Sequence, residues 1–72
     1  MRKKKPNPID VEVGHRIKLQ RLNARLSQTA LGENIGVTFQ QVQKYESGLN
    51  RVGASRLTAI ASVLKVPITV FF

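Results

Sequence analysis

An all-α domain is the fold class that the sequence predicts, and three observations carry it. Apolar residues recur at helical spacing, most cleanly at Leu57, Ile60, Ala61 and Leu64, which follow the i, i+3, i+4, i+7 rule. Residues suited to capping a helix N-terminus, Ser27 and Thr38, stand just ahead of two such runs, and Gly36 and Gly48 stand just behind them. No stretch shows the alternation of a half-buried strand; only residues 67–72 are open to an extended reading.

Five helices are expected. The chain opens with Arg2, Lys3, Lys4 and Lys5 and then Pro6-Asn7-Pro8, which have no apolar periodicity, so residues 1–8 read as a disordered basic arm. The arm is either a solvated tail or a segment that follows DNA phosphates. The first helix begins near Pro8, with Asn7 or Asp10 as its cap, and runs to about Ala24. Val13 and Ile17, with Leu22 and Ala24, are its expected core face; His15, Arg16, Lys18 and Arg25 are expected outside. Ser27 caps a second helix over residues 28–35, and Thr38 caps a third over 39–46, with Gly48 as its stop. Residues 49–53 form a loop, and a fourth helix starts at Ser55. Val66-Pro67 interrupts it, and Pro67 suits the first turn of a short last helix. Phe71 and Phe72 are expected in the core; with Val70 they are also the candidate dimer surface.

Seventy-two residues make a single domain, with residues 9–72 as its body. A chain this short buries only about 60% of its unfolded surface. There is no cysteine, so disulfides and thiolate metal sites are excluded. A metal or acid–base site would have to come from His15, Asp10, Glu12, Glu33 and Glu46; only Glu12 and His15 are spaced as a helical pair, and no metal or cofactor is expected. Phosphate loops and nucleophile–histidine–acid sets are missing, so the chain does not read as an enzyme. The net charge is +8, and residues 9–72 alone, with eight basic and four acidic side chains, carry +4. Such a balance points to a polyanion, either nucleic acid or an anionic membrane. No apolar run is long enough to span a bilayer and no signal peptide is present, so a cytoplasmic protein is expected.

Residues 28–47 decide between the polyanions. Two short helices are joined at Gly36, where a left-handed residue lets the chain turn, and Gly32 is small where the helices would cross. This is the arrangement of a helix-turn-helix, whose second helix can lie in the DNA major groove. On the later helix Val42 and Tyr45 define the buried side. Gln40, Lys44 and Ser47 lie nearly opposite, flanked by Gln43 and Gln41, with Phe39 between the faces. A Gln amide can pair with adenine N6 and N7, and a Lys can reach guanine O6 and N7 or a phosphate.

These residues resemble a family. From Asp10 to Phe72 the chain is similar to the lambda-repressor-like helix-turn-helix domain of the Cro/C1 (XRE) transcriptional regulators. The likeness rests on Arg16-Ile17, Arg21, Leu26-Ser27-Gln28, Leu31, Gly36-Val37-Thr38, Tyr45-Glu46-Ser47-Gly48, Leu57, Ile60-Ala61, Leu64 and Val66-Pro67. It implies a compact five-helix bundle that binds double-stranded operator DNA, usually as a homodimer. It implies further that Gln28 contacts a phosphate, that Phe39, Gln40 and Lys44 face base edges, and that Ser47, Asn50 and Arg51 touch the backbone. Arg21 and Glu46 match a pair that bridges the first and third helices. Gly32 departs from the family, where Ala is usual. Phe39 departs too, and is left either to a thymine methyl or to covering the core.

The expected function is sequence-specific DNA binding by a bacterial or phage regulator, most simply a repressor, with Thr38, Gln41 and Gln43 completing the DNA-facing set. The nearest alternative is an antitoxin carrying the same domain. A protein-interaction module that kept the fold without DNA binding is the alternative from another class. No small-molecule ligand and no membrane partner is evident in the pattern.

Overall fold

The computed structural model describes residues 5–72. Among them are four α-helices, α1 (Pro8–Asn23), α2 (Gln28–Ile35), α3 (Phe39–Ser47) and α4 (Ala54–Leu64), followed by a single 3₁₀ turn at Ile68–Phe71. The last element is therefore not a fifth α-helix. Pro67 sets its entry in an extended conformation, and only four residues follow before the chain leaves the core. The basic arm expected at residues 1–8 falls, for residues 1–4, outside the described residues, and Pro8 already belongs to α1.

Local chemistry sets the boundaries. The Asn7 side chain, not Asp10, caps α1, accepting the Ile9 N–H at 2.8 Å with Pro8 at the first helical position. Ser27 Oγ accepts the Ala30 N–H at 3.0 Å at the start of α2. Thr38 Oγ1 accepts that of Gln41 at 3.3 Å at the start of α3. Gly36 ends α2 at φ +78°, a left-handed turn, and the Val37 N–H closes on the Gly32 carbonyl at 2.9 Å. α4 starts one residue before the expected Ser55, because its cap is Gly53, which has no side chain to signal it. Two helix exits use left-handed residues that are not glycine, Arg25 at φ +59° and Lys65 at φ +58°.

α1 packs on α3 and on the terminal turn, while α2 packs on α3 and α4. Ile17, Leu31, Val42, Ile60 and Phe71 are the innermost side chains. On α1 the buried row is Val13, Gly14, Ile17 and Arg21. Leu22 and Ala24, expected inside, are exposed, because a charged residue takes the last position of that row. Tyr45 is half-buried rather than buried. The terminal phenylalanines divide: Phe71 is sealed in the core, whereas Phe72 is 67% exposed.

The α1–α3 contact is backbone on backbone. A Cβ at Gly14 would stand 2.2 Å from the Tyr45 carbonyl oxygen and 2.8 Å from that of Glu46. Gly32 makes the corresponding approach at the turn, where a Cβ would lie 2.6 Å from the Val37 carbonyl oxygen. The site therefore admits glycine at a spacing that even alanine would force apart.

Gly14→Ala is thus expected to lower stability although alanine is the better helix former by about 1 kcal/mol. Separating the helices should cost about 1–3 kcal/mol. Urea unfolding measures this, and an increase in stability would show that the helices can part without strain.

Candidate nucleic-acid interface

α3 divides into two faces. Val42 and Glu46 are buried, whereas Gln40, Gln43, Lys44 and Ser47 are exposed. Phe39, at the first turn, is 43% exposed, so it both covers part of the core and presents an apolar edge outward. Among the described residues the side chains of Gln40, Gln43 and Lys44 have no hydrogen-bond partner. Their amide and ammonium groups are free to meet a ligand.

The other expected contact residues are engaged inside the protein. Thr38 caps α3. Ser47 Oγ donates to the Lys44 carbonyl at 3.2 Å. Gln41 Nε2 donates to Asn50 Oδ1 at 2.9 Å, and the Asn50 N–H returns to the Lys44 carbonyl at 3.2 Å. These two bonds fold the loop after α3 back against that helix. Arg51 Nε donates to both carboxylate oxygens of Asp10, at 3.1 and 3.3 Å. Gln28, at the start of α2, is half-buried and donates from Nε2 to Glu46 Oε1 at 3.1 Å.

That last bond joins Gln28 to the buried ion pair. Arg21 Nε meets Glu46 Oε2 at 2.6 Å and Nη2 meets Oε1 at 3.1 Å, a bidentate pair with side chains only 8% and 4% exposed. Arg21 Nη1 also donates to the Leu26 carbonyl at 2.8 Å. The Arg21–Glu46 pair therefore ties together α1, the connection after it, the start of α2, and α3. Planar fork geometry makes arginine the residue for this task.

Three of the four acidic side chains are paired. Glu46 holds Arg21, Asp10 holds Arg51, and Glu12 holds Arg16 at 2.9 Å. Glu33, on α2, has no ion-pair partner among the described residues. No cluster of three potential metal ligands occurs among them, and Glu12 pairs with Arg16 rather than with His15. No described helix is long and apolar enough to cross a membrane. Sequence reasoning missed the Arg56 guanidinium, which donates from α4 to the Ile35 carbonyl at the end of α2. It answers an open helix C-terminus from a distant part of the chain, which no local pattern announces.

Residues 17–71 match the model of the helix-turn-helix family. An uncharacterised HTH-type transcriptional regulator of Sinorhizobium medicae is 61% identical over 70 residues, covering 97% of this chain and 50% of its own length. The chain thus spans about half the length of the curated relatives it matches. Among solved structures, the restriction-modification controller protein C.AhdI of Aeromonas hydrophila superposes with a TM-score of 0.81 at 26% identity, over 86% of this chain and 94% of that one. The master regulator for biofilm formation SinR, solved in complex with DNA, superposes with a TM-score of 0.75 at 27% identity, over 82% and 95%.

Removing one side of the buried pair should be far worse than removing both. Glu46→Ala is expected to cost about 3–5 kcal/mol, because it leaves the Arg21 charge buried and unanswered. Glu33→Ala, at an exposed site, should stay within about 0.5 kcal/mol. Arg21→Met with Glu46→Met should recover most of the loss. Thermal melts of the three variants check this, and equal shifts for Glu46→Ala and Glu33→Ala would deny the pair its structural weight.

Proposed function

The chain belongs to the helix-turn-helix family, and from that premise we propose that it binds double-stranded operator DNA as the reading domain of a cytoplasmic bacterial transcriptional regulator. The observation that carries the proposal is the outward face of α3. It presents Gln40, Gln43 and Lys44 without internal partners and without an acidic side chain among them. Such a face suits a major groove, whose base edges offer the donor and acceptor pairs that Gln and Lys recognise. Phe39 beside them supplies an apolar contact of the kind a thymine methyl takes.

The residues with internal partners fit the backbone on either side. Gln28 spends one amide hydrogen on Glu46 and keeps the second for a phosphate at the start of α2. Asn50 and Arg51 approach the backbone from the loop after α3, with Ser47 at the end of the helix. These contacts fix register, and α3 reads sequence. The mechanism is occupancy: the domain represses where its operator overlaps a promoter. It is a binding module rather than an enzyme. Two copies on a symmetric site would set their half-sites about 34–36 Å apart. A dimer surface at Val70, Phe71 and Phe72 shrinks to Phe72 and the half-exposed Val70, since Phe71 is in the core.

Selection of bound sequences from a random duplex pool tests the proposal. A sharp motif with two-fold symmetry is the expected result, and absence of any enrichment would favour a protein-interaction module. Within a selected operator, Gln40→Ala should relax preference at one or two base positions by about 1–3 kcal/mol each. Gln28→Ala should weaken all single-base variants alike, since a backbone contact carries no sequence information. A uniform loss from Gln40→Ala would take α3 out of the groove.

A further inference from the structure

Asp10 is an acidic residue at the edge of a surface proposed to meet a polyanion, and on charge alone it opposes binding. Its geometry says otherwise. Its side chain is only 15% exposed, while that of Arg51, which it holds, is 71% exposed. Both of its oxygens accept from the same donor, Arg51 Nε, at 3.1 and 3.3 Å. The arginine is thus gripped by its inner nitrogen. Its two outer amino groups, Nη1 and Nη2, have no acceptor among the described residues. The carboxylate sits in the first turn of α1, which is pinned by the Asn7 cap, so its own position is fixed. The loop that carries Arg51 is held from its other side by the bond between Gln41 and Asn50. Lys5, Asn7 and Asn50 border the same open groove between the start of α1 and this loop.

We propose that Asp10 is a positioning residue for DNA binding, holding the Arg51 guanidinium so that its outer fork faces a backbone phosphate. This rests on the reading that Arg51 contacts phosphate. An unrestrained arginine loses much rotamer freedom when it binds, and a fork oriented beforehand loses less of it. The planar group offers parallel hydrogen bonds to two phosphate oxygens through Nη1 and Nη2, which grip at Nε leaves available. Asp10 touches no DNA in this arrangement and acts through Arg51 alone.

The sign of one measurement separates this role from simple repulsion. Asp10→Ala, Arg51→Ala and the double variant are titrated with a short labelled duplex of mixed sequence over a range of salt, after circular dichroism has shown each to be folded. Repulsion predicts tighter binding when the acid is removed. Positioning predicts severalfold weaker binding by Asp10→Ala, with the slope of log K against log salt reduced by up to about 0.9, the value of one phosphate contact. In the Arg51→Ala background the same substitution should no longer weaken binding. Asp10→Asn, which keeps an acceptor oxygen, should recover part of the loss. Tighter binding by Asp10→Ala, with Arg51→Ala still weakening it, overturns the positioning role and leaves the phosphate contact standing. An unchanged slope and affinity in Arg51→Ala overturns the contact and the positioning role together.

Discussion

The rest of the domain depends on how α1 and α3 are held together. They meet backbone to backbone at Gly14, where no side chain separates them. Further along the same buried row of α1, the carboxylate of Glu46 takes a two-pronged bond from Arg21. The close crossing sets the distance between the helices, and the ion pair sets their rotation and register. Neither works alone. A close crossing without the pair leaves α3 free to roll, and a buried pair without close packing leaves its charges open to water. Because Arg21 also binds the Leu26 carbonyl and Glu46 also binds Gln28, the same cluster places the start of α2 relative to α3. Those two elements are the ones that the proposed recognition would present to a duplex at a fixed spacing.

A buried ion pair is a weak source of net stability, since desolvation consumes most of the attraction. Its worth here is geometric. An apolar pair of similar volume could fill the space, but it would not hold the Gln28 amide. The surface ion pairs follow the same logic at lower energy. Exposed pairs such as Glu12–Arg16 contribute little to folding, about 0–1 kcal/mol. With Asp10 and Glu46 also paired to arginines, three of the four acidic residues are locally neutralised, and the positive field comes from Lys18, Arg25, Lys44, Arg56, Lys65 and the basic residues at the start of the chain.

Much of this architecture was legible because its signals are local. Ser27 and Thr38 announced two helix starts, and Gly36 and Gly48 two stops, since each acts on backbone within four residues of itself. The signals failed where the deciding partner is distant. Leu22 looked like core because nothing local says that Arg21 would be buried in its place by a residue twenty-five positions away. Gly14 carried a readable hint, as a glycine in mid-helix costs stability unless something needs the room, but the hint does not name α3. The exits at Arg25 and Lys65 were invisible, because left-handed residues with side chains have no composition cue. Gln28, Gln41, Gln40 and Gln43 are chemically identical in sequence. Only the fold separates the first two, which hold other parts of the protein, from the last two, which have nothing to hold.

That separation bears on how the proposed recognition would divide its energy. Gln28, Asn50 and Arg51 are already oriented by internal bonds, so backbone contacts made through them need little further ordering. Gln40, Gln43 and Lys44 are free, and each would give up as much as about 1.5–2 kcal/mol of rotamer entropy when it engages a base. A good base contact discriminates by about 1–3 kcal/mol, so the net gain from each free reader is small. Regulators typically separate operator from bulk DNA by about 4–10 kcal/mol. Three free readers on one short helix, each left with at most about 1.5 kcal/mol after its ordering, reach that range only in the best case and otherwise fall below it. A second copy on a symmetric site doubles the readers while each copy keeps its own pre-oriented backbone contacts. Two-fold operators are therefore the arrangement in which a surface of this kind, rigid at its edges and loose at its centre, becomes selective.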